Sequence, residues 1–597
     1  MKKLLLSVLC LTFIMVLLHS CKKNFADEQY KPADNPDTPD LSVMITTSVA
    51  GFIVDENDKP VYNAVVSAGS QSANTDEFGY FSIRNASLSK TAGFIKVSKA
   101  GYFFGYKTFI GKENAETFVR LKLITKSNTG DADAATGGTV TASNGATVTL
   151  PAGGVVVAAG SAAYSGPVHV AIKYIDPSNI NAAPMQLPGD GRGIDNAGHL
   201  KQLQSFGTLA VELTGASGEL LQIAAGKQAT IKIPIPASIA SSAPATVSLW
   251  SFNETNGLWK EESTATKSGN FYTGNVSHFS FWEGAVGQQM INFSVQVTDA
   301  ALHPLANVAV MITRQGQPYN AGYGSFGFTD ASGFIQGPVF ANSSMILEVM
   351  TPCTLPVYTH NFTTTNSNYD MGTITGNLGQ NTATLTGTVK NCSNVPVTDG
   401  YIQTYDNGFY NRINITNGTF NFTGIFCTNG PTNVVAVDNT THQQNTPQTI
   451  NLVAGVNNLG TITACGTSTL STITYTIDGV TQTFSDPLNP FRGYFTSTPS
   501  NITQVVEVSS SQNTNPHIAF QFDGGTAIGN AHGVSEIFSV SFPGGRGVAT
   551  PALPVTITEY GDVGGFMSGS FSGTVLDFTA TPAPHTISCS FRIRRMN

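Results

Sequence analysis

Three times along this chain an Asp or Asn stands five positions ahead of a proline, with alternating apolar residues on either side: Asp55 and Pro60, Asp299 and Pro304, Asn391 and Pro396. Proline holds φ near −65°, and alternation at period two is the pattern of a half-buried strand, so each instance predicts two strands joined at a polar turn. A second turn follows in each case. TDEFG at 75–79 leads into Tyr80, Phe81 and Ile83, TDASGF occupies 329–334, and NGTFNF at 417–422 takes the same place without the Asp. Recurrence on this scale points to related modules rather than to one decorated domain.

Composition narrows the class further. Only 11% of the 597 residues are charged, against about 25% in an ordinary soluble protein, which disfavours long salt-bridged surface helices. A chain of this length predicts roughly three to five domains. The formal charge of −8 is spread thinly, with no basic stripe to neutralise phosphates, so nucleic acid is excluded as a partner. The one basic cluster, Arg592, Arg594 and Arg595 in FRIRR, alternates with Phe591 and Ile593 and predicts the exposed face of a closing strand.

In the first module Gly51, Asp55, Pro60, Val61, Ala64, Val66, Asp76, Gly79 and Phe81 resemble the pattern of the carboxypeptidase regulatory-like domain. That resemblance implies a small transthyretin-like β-sandwich, a folding or interaction module with no active site of its own. Asp55, Asp58 and Asp76 could instead hold Ca²⁺, but their spacing matches no full calcium loop.

The expected fold class is all-β: a multi-domain string of β-sandwiches with a β-rich C-terminal domain. Regulatory-like sandwiches are expected at 47–125, 290–377 (regulatory-like or Ig-like) and 382–466. A different sandwich is expected at 130–284, where strand runs broken by Gly and Pro carry Trp250, Trp259 and Trp282 as core or edge aromatics. At 468–597, alternation such as Ser570, Phe571, Ser572 with Gly at intervals predicts bent antiparallel strands in a barrel-like sheet. This last stretch resembles the carboxy-terminal β domain of some lipoproteins of Bacteroidota.

At the amino terminus Lys2 and Lys3 precede an apolar run from Leu4 to Leu18, too short at about 1.5 Å per residue to cross roughly 30 Å of hydrocarbon. A signal peptide over 1–20 is the better reading. LHSC at 18–21 resembles the bacterial lipobox, with His19 an unusual occupant; the resemblance implies cleavage before Cys21 and lipid on its thiol. An ordinary secretory signal with an incidental Cys is the alternative. Residues 21–46 are polar and rich in Pro and Asp and read as a tether. The implied location is the bacterial outer membrane, with the membrane as partner through Cys21. Surface-exported lipoproteins of Bacteroidota tend to carry acidic residues directly after the Cys, whereas here Lys22 and Lys23 come first, so the periplasmic or cell-surface face stays open.

Cys353, Cys392, Cys427 and Cys465 are disulfide candidates with three pairings open, the expected use in an exported protein. Cys589 reads as a buried thiol. No GxSxG, HExxH, Walker loop or CxxC occurs, so no enzyme, cofactor or metal is expected. His278 reads as a hydrogen-bonded structural residue, and the Asn-x-Ser/Thr triplets as a by-product of Asn- and Thr-rich strands. The candidate ligand-binding residues are Asp190, Arg192, Asp195 and His199, on the Gly-rich stretch LPGDGRGIDNAGHL, because loops on a rigid sheet concentrate binding residues; a solvated insertion is the plainer account. Tyr102, Phe103, Phe104 and Tyr106 could stack on sugars or sit half-buried in their own sandwich. The expected function is a non-enzymatic cell-envelope lipoprotein binding glycan or protein ligands or mediating adhesion, with an envelope glycan hydrolase or a structural subunit of a surface assembly as alternatives.

Overall fold

The computed structural model describes residues 39–596 apart from 317–323, 353–355, 376–381, 407–408, 428–429, 486–490, 497–501, 508–517, 523–527, 540–542 and 562–564. Cys21 and Cys353 lie outside the described residues. Apart from short helical turns such as Ala183–Gln186, the regular elements are strands, and the chain is all-β.

In the first unit Met44–Val54 is the centre of a three-stranded sheet, antiparallel to Tyr80–Ser89 and parallel to Glu116–Lys122. A four-stranded sheet, ordered Gln71–Asn74, Val65–Ala68, Gly93–Ser98, Gly105–Phe109, faces it. Alternation sends Val49, Ile53, Phe81, Val66, Ile95 and Val97 into the shared core. Gly51 sits where the backbone of the parallel strand comes closest: a Cβ there would lie 1.8 Å from the Val119 carbonyl oxygen.

The same three-plus-four plan recurs from residue 290, where Met290–Thr298 pairs antiparallel with Phe334–Phe340 and parallel with Tyr369–Thr375. It begins again at Thr382–Asn391, flanked by Thr419–Ile425 and, in parallel, Gly455–Ala464, with a larger second sheet.

The turn that opens each plan is built identically. Asp55 Oδ1 accepts from the N–H groups of Asn57 and Lys59 at 2.8 and 2.9 Å, Asp299 Oδ1 from Ala301 and His303 at 2.9 and 2.8 Å, and Asn391 Oδ1 from Ser393 and Val395 at 3.0 and 3.1 Å. The proline then closes a single bridge to the strand before the turn: Val54 with Pro60, Thr298 with Pro304, Lys390 with Pro396. The fourth turn residue is left-handed in all three, at φ 62° for Asp58, 66° for Leu302 and 63° for Asn394. Asp and Asn tolerate that conformation; a leucine does not, and Leu302 is 67% exposed with no packing to offset the strain. Leu302→Asn is expected to stabilise the unit by roughly 0.5–1 kcal/mol, read as a higher urea midpoint; an unchanged or lower midpoint would show that Leu302 is not strained. In the second turn of the first two copies a buried threonine acts as a clasp. Thr75 Oγ1 donates to the Val61 carbonyl at 2.6 Å and Thr329 Oγ1 to that of Leu305 at 2.6 Å, while Gly79 and Gly333 take φ of 74° and 73°.

Between the first two copies, residues 130–288 form one thirteen-stranded sheet that curls around its own core. Trp282, at 0% exposure, lies in that core and donates its indole N–H to the His278 carbonyl at 2.9 Å. Trp250 and Trp259 lie on the other face, and this face is covered by the first unit: Phe103 and Tyr106 pack against Phe281 and Phe252. These two aromatics are therefore buried between units, neither exposed nor confined to their own sandwich.

At the carboxy end Phe491–Thr496, Ile502–Glu507, Ile518–Phe522, Gly529–Ser539, Arg546–Tyr560, Phe566–Asp577 and Pro584–Arg595 pair in succession. The last strand meets the first in a short parallel contact that closes the sheet, and the hairpin of Thr472–Ile477 and Val480–Ser485 is added along Pro584–Arg595.

The second turn of the first unit reaches the unit that begins at Thr382 and the carboxy-terminal unit. The Arg412 guanidinium is 2.6 Å from Asp76 Oδ2 and lies between the rings of Tyr80 and Tyr401, 4.1 and 3.8 Å from their centroids. Arg594 Nη2 is 2.8 Å from Glu77 Oε1 and its guanidinium lies 4.1 Å from the centre of the Phe566 ring. Arg594 is only 4% exposed, so the FRIRR alternation does not mark a solvent face: Arg594 docks on Glu77 of the first unit, while Arg592 pairs with Glu559 of its own unit. The carboxylates weighed for calcium are likewise occupied, Asp55 by its own turn, Asp58 by Lys122 at 2.8 Å and Asp76 by Arg412.

Cys392 and Cys465 form a disulfide with Cα atoms 5.0 Å apart. Each follows the last residue of its strand, and those residues, Asn391 and Ala464, are register partners. Cys427 is also disulfide-bonded. Cys589 is a free, buried thiol whose pKa burial pushes up.

Candidate functional site

The Gly-rich stretch expected as a loop is in part a strand. Arg192–Ile194 runs antiparallel to Leu200–Thr214 and parallel to Leu258–Ser268. Its glycines serve close approach: a Cβ on Gly193 would stand 2.9 Å from the Trp250 ring. Arg192 is 2% exposed; its Nε donates to Asp190 Oδ2 at 2.8 Å and its Nη1 to the Thr91 carbonyl of the first unit at 2.8 Å. Asp195 and His199 form a separate turn, in which Asp195 Oδ1 accepts from the N–H groups of Ala197 and His199 at 3.0 and 2.8 Å. The His199 ring is 3.4 Å from Asp195 Oδ2, and Lys201 is 3.5 Å from the same oxygen. The four candidates are thus two pairs, and only Asp190 lines the cavity described next.

An open cleft runs where the first unit meets the second and the third. Its wide end, about 1020 Å³ counted out into open solvent, lies between Gly105–Phe109 and Glu116–Lys122 on one side and Gly324–Phe328 and Phe334–Phe340 on the other. Phe118 and Phe328 meet edge to face across it at 5.4 Å, and Phe326 packs on Phe328 at 5.2 Å. Lys112 bridges the units, 3.4 Å from Asp330 and 4.9 Å from the centre of the Phe334 ring. Lys107, Asp190, Ser325 and Phe326 continue the cleft into a narrower end, about 610 Å³ counted out into open solvent, that reaches Gln202, Trp259 and Glu283 of the second unit.

The narrow end is electrostatically unusual. Lys107 donates to the Pro184 carbonyl at 3.1 Å; burial pushes its pKa down to about 8, with Asp190 acting the other way. Glu283 is 3% exposed. Burial pushes its carboxyl up to about 7, and the hydroxyls of Ser205 and Thr208 hold back part of the shift. The strand pair bulges between Ser205 and Thr208, opposite Glu283, and a bulge is a common way to re-aim a side chain next to a site. Perturbed acids and bases gathered in a cleft mark a candidate site.

Lys107, Gln202 and Glu283 were not legible as site residues, although one signal was present. In FSFWEGAV a lone Glu falls on the same alternation phase as Phe281 and Ala285, which places a carboxyl on a buried face. Among the described residues no group of His, Cys, Asp and Glu is arranged to hold a metal ion.

No protein-family profile matches the chain. A stretch of 110 residues, 18% of the chain, is 34% identical to cartilage intermediate layer protein 2 of Homo sapiens, and 109 residues are 31% identical to the Mus musculus protein. The matched stretch spans only 9% of those relatives' length. Among solved structures, a streptococcal ancillary pilin is similar at 12% identity and TM-score 0.13, covering 37% of this chain and 95% of its own. The major pilin subunit of Bacillus cereus is similar at 10% identity and TM-score 0.13, covering 56% and 100%. The shaft pilin of Lactobacillus rhamnosus GG is similar at 10% identity and TM-score 0.17, covering 30% and 99%. At such scores these likenesses bear neither on the arrangement of the units nor on function.

Proposed function

We propose that this chain is a non-enzymatic cell-envelope lipoprotein of the outer membrane, anchored through lipid on Cys21, whose first three units jointly bind an extended glycan. The observation that carries the reading is the wide end of the cleft, where Phe118, Phe326, Phe328 and Phe334 line a groove whose polar groups include Lys112, Asp330 and Gln336. Aromatic faces interleaved with hydrogen-bonding side chains suit a ligand with alternating apolar and hydroxyl faces. The regulatory-like resemblance of the first unit agrees with a binding role.

Purified protein titrated with a panel of β-linked oligosaccharides is expected to bind at least one of them, and Phe326→Ala with Phe328→Ala is expected to weaken that binding tenfold or more, the equivalent of about 1.4 kcal/mol. Failure of the whole panel to bind, or unchanged affinity in the double variant, would sink the reading. A hydrolase is the second reading, favoured by one feature: a carboxyl pushed up to about 7, as on Glu283, suits a general acid. A glycosidase needs a second carboxylate facing it across the sugar, and Asp190 is instead bound to Arg192. Turnover of any bound oligosaccharide, abolished by Glu283→Gln, would decide for the enzyme.

A further inference from the structure

The narrow end of the cleft holds a buried acceptor without a partner, Gln202 Oε1, and a buried carboxyl without a cation, Glu283. Gln202 is 1% exposed, and its Oε1 has no hydrogen-bond partner among the described residues. Glu283 has only the hydroxyls of Ser205 and Thr208 beside it, of which Thr208 Oγ1 has no hydrogen-bond partner of its own, and among the described residues no cation is close enough to favour its charge. The nearby cations are committed elsewhere. Lys107 gives to the Pro184 carbonyl and is drawn to Asp190, while Arg192 gives to Asp190 and to the Thr91 carbonyl. The third unit contributes Met311, Thr313, Ser325 and Phe326 to this end, none of them charged. A buried polar group without a partner requires an explanation, and a carboxyl without a cation still more so.

We propose that the narrow end is a subsite for a protonated primary amine on the ligand, with Glu283 as its counter-ion and Gln202 Oε1 accepting from a second N–H or O–H of the same ligand. This rests on the reading that the cleft binds an oligosaccharide, and it narrows that ligand to one bearing free amino groups. The ammonium replaces the missing cation at Glu283, while the remainder of the ligand lies along the aromatic wall. Lys107, half-buried at the same end, limits the subsite to a single added positive charge.

The test uses the full chain and three probes of equal length: a β-1,4-glucosamine hexamer, its fully N-acetylated form and a β-1,4-glucose hexamer, titrated calorimetrically at pH 7. The glucosamine hexamer is expected to bind at least tenfold more tightly than the other two, and Glu283→Gln to erase that preference while leaving the neutral hexamers unaffected. Folding of the variant is checked by its melting temperature. A carboxyl whose folded pKa lies above its unfolded value contributes stability that is present below about 4.5 and lost as pH rises through about 7. Glu283→Gln should therefore melt with the wild type at pH 5 and above it at pH 8. Equal affinity for all three probes, or a preference that survives Glu283→Gln, would overturn the subsite alone and leave glycan binding standing. No binding of any probe would overturn both.

Discussion

Removing the Cys392–Cys465 disulfide is expected to destabilise the unit at 382–464 by about 4 kcal/mol, a large share of the roughly 5–15 kcal/mol that holds a typical domain folded. The bond closes a loop of 73 residues, and the chain-entropy account gives about 4 kcal/mol for a loop of that length. Its position makes the full effect available. Cys392 and Cys465 leave two strands that are already parallel neighbours, paired at Asn391 and Ala464, so the cross-link restrains the unfolded chain while asking little adjustment of the folded one. The unit also has few other resources. Its core is a single cluster of aliphatic side chains such as Leu385, Val389 and Ile402 with Phe420 and Phe426, and Val453 and Val456 near its last strand are exposed. A Cys392→Ala, Cys465→Ala double variant leaves the Cys427 disulfide intact and isolates the effect. Urea unfolding should show one transition moved sharply down and the remainder unchanged; a loss below about 1 kcal/mol would mean that the unfolded unit is already compact.

The second large effect is expected at Arg412. Arg412→Met keeps most of the volume but leaves the Asp76 carboxylate without its partner, and breaking a buried pair in this way costs about 3–5 kcal/mol. Asp76 keeps part of its side chain in solvent, 27%, which puts the expectation at the lower end. The lost stacking between Tyr80 and Tyr401 adds to it. Burial works against the charge on Arg412, yet Asp76 outweighs it and the pKa is raised. The cost should appear as undocking rather than as unfolding of either sandwich, because the pair joins two units that each have their own core. Solution scattering of Arg412→Met should therefore show a larger radius of gyration with unchanged β content. Adding Asp76→Asn should recover part of the lost stability, as coupled partners require. A variant as compact as the wild type would show that other contacts hold the first unit in place.

The three repeated turns show how far one-dimensional pattern reaches. An Asp or Asn, a left-handed fourth residue and a proline form a closed hydrogen-bonding unit within six residues, so the sequence alone specifies the geometry seen at Asp55, Asp299 and Asn391. Alternation specifies equally well which strand residues face a core, as for Val49, Ile53 and Phe81. The parallel pairing of first and last strands left a trace only in Gly51, whose missing side chain admits the Val119 backbone.

What lies between units was decided by tertiary structure alone. Arg594 in FRIRR and Phe103 with Tyr106 in AGYFFGYKTF alternate in the same way whether water or another unit faces them, and only the fold supplies Glu77 to the one and Phe281 to the others. The cleft follows the same logic. Lys107, Gln202 and Glu283 are 176 residues apart at the extremes and sit in strands whose local pattern is set by backbone pairing. Local interactions are encoded by neighbours in the chain and can be read from them. A cleft formed by three units depends on which of their faces meet, and that choice is made by shape and burial summed over whole surfaces.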